Sequence, residues 1–147
     1  MNDFFSTLYE LFGSNYIEGF SENLYDGGVY NSTGIAMFIV AILGMIIFYL
    51  LKAQKPLTFR FWAWCIAILL LCIINFGIAY ALSNSKLAEI YTEQNQDLPY
   101  GFGSFAGFGL VNVLWTLVLC LVTSVVIQIA CINTHGNVPF PFRKSHK

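Results

Sequence analysis

The sequence predicts an all-α integral membrane protein with three transmembrane helices and a short N-terminal amphipathic helix. Of its 147 residues, 57% are hydrophobic and only 10% are charged. Soluble domains carry about 25% charged residues, so this composition cannot cover a water-facing surface. Three uncharged segments each exceed the roughly 18 apolar residues that indicate a membrane span. They are residues 33–51, 61–82 and 105–132. We expect helices, because a helix satisfies all its backbone hydrogen bonds within one span.

Basic and acidic residues fall on opposite sides of these spans. Six of the seven Lys and Arg residues lie in the loop 52–60 or the tail 133–147, whereas all eight acids lie in residues 1–32 and 83–104. The positive-inside rule therefore places the loop and the tail in the cytoplasm, and the other two segments outside. We expect a bacterial inner-membrane protein with its N-terminus outside. The residues that set this orientation are Lys52, Lys55, Arg60, Arg143, Lys144 and Lys147.

The N-terminal segment has the spacing of an amphipathic helix. Its predicted apolar face consists of Phe4, Phe5, Leu8, Leu11 and Phe12. The helix is expected to dock on a partner protein, to lie on the outer leaflet, or to fold over the outer ends of its own chain. It carries no Lys or Arg, which favours protein docking over lipid docking.

The other two outer stretches are polar. Residues 14–32 are rich in Asn, Gly, Tyr and Ser and are expected to be irregular. In residues 85–99, Leu87, Ile90 and Tyr91 either line one face of two helical turns that end before Pro99, or the stretch is a solvated polar loop.

Glycine is concentrated where the third span begins, in DLPYGFGSFAGFGLVNVLW (97–115). An ion filter is disfavoured here, because the preceding EQNQDLP is charged and ends in proline, unlike an apolar pore helix. Gly103 and Gly107 have GxxxG spacing, and Gly109 continues the small surface. Small residues let helix backbones approach closely in lipid. This pattern predicts a helix contact, either within the chain or between subunits.

The polar residues inside the spans are neutral, since no Asp, Glu, Lys, Arg or His occurs there. Ionisable groups normally mark ion paths and proton relays in membranes, so proton-coupled transport is disfavoured. Asn75 and Asn112 lie at similar depth on antiparallel spans. We predict that they bond to one another or to backbone, which contributes about 0.6–2 kcal/mol. The alternative is that they face a water-filled path.

The third span carries an arc of small and polar residues that covers about half of the helix at 100° per residue. The arc predicts a helix–helix seam or, if copies assemble, a pore lining. Its members are Gly109, Asn112, Thr116, Cys120, Thr123, Ser124 and Gln128.

No motif for catalysis, cofactors or metals is present. All four cysteines lie inside spans, where thiols behave as small apolar groups. We therefore expect no cofactor, no bound metal, no enzyme activity and no nucleic-acid partner.

Two functions remain. The first is a non-enzymatic structural or anchoring subunit of a multi-subunit membrane assembly, such as a bacterial inner-membrane secretion or injection machine. Its partners would be the lipid bilayer and other membrane subunits or copies of itself, and its N-terminal helix and cytoplasmic tail would dock. The alternative is a homo-oligomeric channel or membrane-disrupting pore lined by the polar arc of the third span.

Overall fold

The computed structural model describes residues 2–11, 19–54 and 61–132. These residues form five helices: α1 (Asn2–Glu10), α2 (Phe20–Asp26), α3 (Val29–Gln54), α4 (Phe61–Glu93) and α5 (Phe102–Ile132). Helices α3, α4 and α5 are each long and apolar enough to cross a membrane. The predicted fold class, all-α with three transmembrane helices and a short N-terminal helix, is confirmed.

The three long helices pack against one another as a bundle, while α1 packs on α3 and α5, and α2 packs on α3 and α4. The side chains between them form two buried apolar groups. The group at the end of the bundle where α4 ends and α5 begins is called the outer cluster, and the group toward the other end is called the inner cluster. The outer cluster contains Phe5, Tyr9, Phe20, Leu24, Val29, Tyr30, Ala79, Leu87, Phe105, Phe108 and Val111. The inner cluster contains Ala41, Met45, Tyr49, Trp64, Ile68, Cys72 and Cys120.

The outward faces of the bundle are also apolar. Large hydrophobic side chains are exposed along all three long helices, including Ile39, Leu50, Leu69, Ile73, Leu110, Val122 and Ile129. A soluble monomer rarely exposes apolar patches of more than a few hundred Å². These faces therefore indicate contact with lipid.

Helix α4 extends well past the predicted end of its span at residue 82. It has 33 residues, which at about 1.5 Å per residue gives a length near 50 Å. This exceeds the roughly 30 Å hydrocarbon thickness of a bilayer by about 20 Å. Of the two alternatives for residues 85–99, the structure shows a helix as far as Glu93, and Leu87 is fully buried in the outer cluster.

The prediction that residues 14–32 are irregular is wrong for the described part, because α2 and the start of α3 lie there. Phe20 and Leu24 are four residues apart on α2 and are fully buried. Their burial outweighs the weak helix propensity of the surrounding polar residues. Gly19 and Gly28 have φ of 84° and 64°, a left-handed conformation that glycine adopts without steric cost.

The predicted apolar face of α1 is only partly correct, since Phe5 is buried and Leu8 packs against the outer cluster. Phe5 and Tyr9 are buried, whereas Phe4 is 60% exposed and Leu11 is 68% exposed. Phe12, which was assigned to the same face, lies outside the described residues. The buried face of α1 includes Tyr9, whose hydroxyl has a buried partner on α5.

Candidate functional site

A polar layer separates the outer and inner clusters in the middle of the bundle. It consists of Asn75 on α4 and of Asn112 and Thr116 on α5, and all three are fully buried. The Asn112 Nδ2 donates to the main-chain oxygen of Asn75 at 2.8 Å. The Thr116 hydroxyl donates to the main-chain oxygen of Asn112 at 2.8 Å. The α4–α5 seam is therefore joined by a side-chain-to-backbone hydrogen bond at this depth.

The side chain of Asn75 differs from that of Asn112. Both Oδ1 and Nδ2 of Asn75 are buried, and neither has a hydrogen-bond partner within the described part of the chain. The two asparagine side chains thus do not pair with each other through their amides. Asn112 meets the expectation of a bond to backbone, whereas the Asn75 amide does not.

Helix α1 binds to the polar layer through Tyr9. The Tyr9 hydroxyl donates to Oδ1 of Asn112 at 2.5 Å. Its ring packs against Tyr30 of α3 and Phe108 of α5, with centroids 5.5 Å and 4.9 Å away. Both polar groups of the Asn112 amide are consequently bonded inside the protein.

A second hydrogen bond holds the C-terminal end of α1. Nε1 of Trp115 donates to the main-chain oxygen of Leu8 at 2.8 Å. The last four carbonyl groups of a helix have no partner within the helix, and lipid supplies no donor to replace water. The indole of Trp115 therefore satisfies a carbonyl that has no other partner among the described residues.

These contacts place α1 alongside the outer halves of the long helices. Trp115 lies about 20 Å along the helix axis from Phe102, the first residue of α5, at roughly 1.5 Å per residue. On α3, the Phe5 ring packs edge-on against Phe38 with centroids 5.9 Å apart. A Cβ atom at Gly34 would overlap the same ring. Helix α1 thus fills a groove between α3 and α5, and its docking face is used by its own chain.

Four members of the polar arc of α5, Asn112, Thr116, Cys120 and Ser124, are buried within the described chain. Ser124 is buried, donates to the main-chain oxygen of Cys120 at 2.7 Å and accepts from Nε1 of Trp64 at 3.3 Å. Thr123 is half-buried, and the side chain of Gln128 lies outside the described residues. Burial of Asn112, Thr116 and Ser124 supports the seam interpretation of this arc.

The predicted glycine surface is divided between two environments. A Cβ atom at Gly109 would lie 2.8 Å from the ring of Phe76 on α4, so the glycine permits close packing of the seam. At Gly103 and Gly107 a Cβ atom would meet nothing within 4 Å among the described residues. A contact at these two positions within the described chain is therefore absent, and a contact between subunits stays a prediction.

The predicted orientation also stays a prediction. Lys55, Arg60 and the basic residues of the tail, Arg143, Lys144 and Lys147, lie outside the described residues. Lys52 falls in the last turn of α3, but its side chain is not described. On the opposite side, Lys86 forms an exposed ion pair with Glu89 at 2.7 Å.

A small polar cluster outside the spans fixes α2 to the extension of α4. Nδ2 of Asn23 donates to the hydroxyls of Tyr91 and Tyr100, at 3.0 Å and 2.9 Å. The Phe20 ring packs edge-on against the Tyr100 ring at 4.9 Å. Burial is the largest cause that raises the pKa of Tyr100, and the hydrogen bond with Tyr91 adds to it. We call these four residues the outer tyrosine cluster.

Sequence reasoning missed Tyr9, Trp115 and Asn23 as structural anchors. From the sequence, Tyr9 and Trp115 could be assigned only as interfacial or apolar side chains, because their hydrogen-bond partners are distant in sequence. One available signal was the absence of Lys and Arg from α1, which excluded a typical lipid-surface helix.

The described residues contain no group of three or more His, Cys, Asp or Glu side chains that could hold a metal ion. Cys65, Cys72 and Cys120 are free thiols. Comparisons with protein-family models, with curated proteins and with solved structures give no match to this chain.

Proposed function

We propose that the chain is a non-enzymatic structural subunit of a multi-subunit membrane assembly, of the kind found in bacterial inner-membrane secretion or injection machines. The observation that carries this proposal is an open small-residue face on α5. Gly103 and Gly107 have free space where a side chain would begin, whereas Gly109 on the same helix is closely packed against Phe76 of α4.

This face continues along the helix as an exposed apolar stripe. Leu110, Leu114, Leu117 and Leu121 follow at the three- and four-residue spacing that keeps side chains on one face. No hydrophobic force draws helices together in lipid, so association depends on close van der Waals packing at small residues. A face with two open glycines at its outer end allows a partner helix to approach closely.

Fewer residues of α1 remain exposed for docking than the sequence predicts. Helix α1 buries Phe5 and Tyr9 in its own chain, which leaves Phe4 and Leu11 for a partner or for lipid. The tail 133–147 is the proposed cytoplasmic docking segment. In the proposed orientation the N-terminus lies outside the bacterial inner membrane and the tail lies in the cytoplasm.

The test is a leucine substitution at both open glycines. We expect Gly103→Leu with Gly107→Leu to abolish co-purification of partner subunits in mild detergent, because the added side chains hold a partner helix away. Insertion, measured by membrane fractionation, stays unchanged, since both sites are open in the chain itself. Gly77→Leu is the matched control, because Gly77 of α4 is exposed and equally open. Unchanged assembly in the double variant would remove the proposal.

The pore alternative has less support. A pore lined by the polar arc needs those side chains on a surface, and Asn112, Thr116 and Ser124 are buried in the described chain. A closed ring of this chain alone, with conductance in a planar bilayer, would favour the pore over the structural subunit.

A further inference from the structure

Helix α1 is attached to the bundle well inside the outer ends of the long helices. Its Tyr9 bonds to Asn112, ten residues after the first residue of α5. Its Phe5 ring packs edge-on against Phe38, nine residues after the first residue of α3. At roughly 1.5 Å per residue, both partners lie about 14–15 Å along their helices. Helices α3 and α5 thus assign the same depth to α1.

This depth lies within the thickness of a bilayer. The candidate span of α3 is Val29–Leu51, 23 residues, which gives a length near 35 Å at roughly 1.5 Å per residue. The hydrocarbon core is roughly 30 Å thick, so a centred span extends past each boundary by about 2–3 Å. Phe38 is therefore about 11 Å below the outer boundary of the hydrocarbon. The groove that α1 fills opens onto the outer leaflet.

Helix α1 runs from the lipid toward the outer surface. The Tyr9 ring packs against the ring of Tyr30, the second residue of α3. Phe5 lies over Gly34, about one turn further along α3, where a Cβ atom would overlap its ring. The N-terminal half of α1 is therefore the deeper one, and its C-terminal end is nearer to water.

The charge at the C-terminal end of α1 agrees with this direction. Glu10 is exposed, and its Oε1 accepts a hydrogen bond from Ser21 of α2 at 3.1 Å. A carboxylate is costly in hydrocarbon, and α2 precedes the first span on the outer side. The other acid of α1 is Asp3, whose side chain lies outside the described residues.

The face of α1 that points away from the groove is apolar. Phe4 is 60% exposed and Leu11 is 68% exposed, and their separation of seven residues places them about 20° apart around the helix. On α3, Ile39 follows Phe38 and is 53% exposed. The apolar face of α1 thus continues the lipid-facing surface of α3 at the same depth, which a soluble partner does not reach.

We propose that α1 is a fourth membrane-embedded helix, which enters the outer leaflet without crossing it, and that its Phe4 and Leu11 face binds lipid acyl chains. Its nine residues give a length of about 14 Å, and short apolar segments of this kind are typical of re-entrant elements. In this position α1 separates Asn112 and Trp115 from the hydrocarbon. The inference goes beyond the structural role proposed above and does not depend on any partner subunit.

Tryptophan fluorescence of the full chain in liposomes tests this position. Phe4→Trp adds emission to that of the three native tryptophans. We expect the added emission to be lost in bilayers of lipid brominated along its acyl chains and retained with aqueous iodide on both sides. Ile39→Trp is the matched control for lipid contact. Gln94→Trp, in the exposed turn after α4, is the control for water and should show the opposite response.

Either of the other responses of Phe4→Trp overturns the proposal. Quenching by iodide instead of brominated lipid would place α1 in water. Resistance to both quenchers would mean that protein covers this face. Leu11→Trp repeats the measurement on the same face if the first variant does not insert, and the glycine substitutions in α5 test the subunit role separately.

Discussion

The hydrogen bond between α1 and the polar layer can be removed with the loss of one hydroxyl group. Tyr9→Phe keeps the ring packed against Tyr30 and Phe108 but leaves Oδ1 of Asn112 without its donor. Hydrogen bonds inside membranes contribute about 0.6 kcal/mol on average and up to about 1.7 kcal/mol. An unpaired buried acceptor costs about 1–3 kcal/mol. We therefore expect a loss of about 1–2 kcal/mol in the free energy of unfolding.

The assay is reversible unfolding in mixed detergent micelles, arranged as a double-mutant cycle. The variants are Tyr9→Phe, Asn112→Leu and the two combined, and their coupling energy isolates the pair. Tyr80→Phe is the matched control. The Tyr80 ring packs on Phe102 and Phe105, and its hydroxyl bonds to no described residue. Strictly additive effects, with coupling below about 0.3 kcal/mol, would refute this account of how α1 docks.

Three further outcomes follow from the contacts described above. Trp115→Phe is expected to leave the Leu8 carbonyl unpaired, so hydrogen exchange of the α1 amides should rise while that of α4 stays constant. Gly109→Ala should destabilise the protein by about 1–3 kcal/mol through overpacking of the seam, whereas Gly77→Ala should be close to neutral in the same unfolding assay. The raised pKa of Tyr100 means that its stabilising contribution is complete below its ordinary pKa of 10.0 and is lost as pH rises through the folded-state pKa. The difference in unfolding midpoint between the parent chain and Tyr100→Phe should change above about pH 10 and stay constant below it.

The long helices were predictable because their signal is local. A run of uncharged residues long enough to cross lipid determines a span without reference to the rest of the chain. The matched depth of Asn75 and Asn112 followed from counting residues from the ends of two antiparallel helices. The structure agrees in bringing the Asn112 side chain to the Asn75 backbone.

The predictions that were wrong concern structure that depends on contacts between segments distant in sequence. Tyr9 of α1 is bonded to Asn112, which lies 103 residues away, and no periodicity within α1 carries that information. Helix α2 forms because Phe20 and Leu24 find a cluster built from other helices. The open glycines illustrate the converse, since GxxxG spacing does not reveal whether the facing helix belongs to the same chain.

The register of α4 and α5 has a mechanical consequence. The seam is pinned at two depths, by the Asn112 bond to the Asn75 backbone and by the Trp64 bond to Ser124. A piston-like slide by one helical turn, about 5.4 Å, would break both bonds where no solvent can replace them. Helices α4 and α5 therefore behave as one rigid unit. Any movement that this protein transmits across the bilayer would have to come from tilting of the α4–α5 unit or from displacement of α3 beside it.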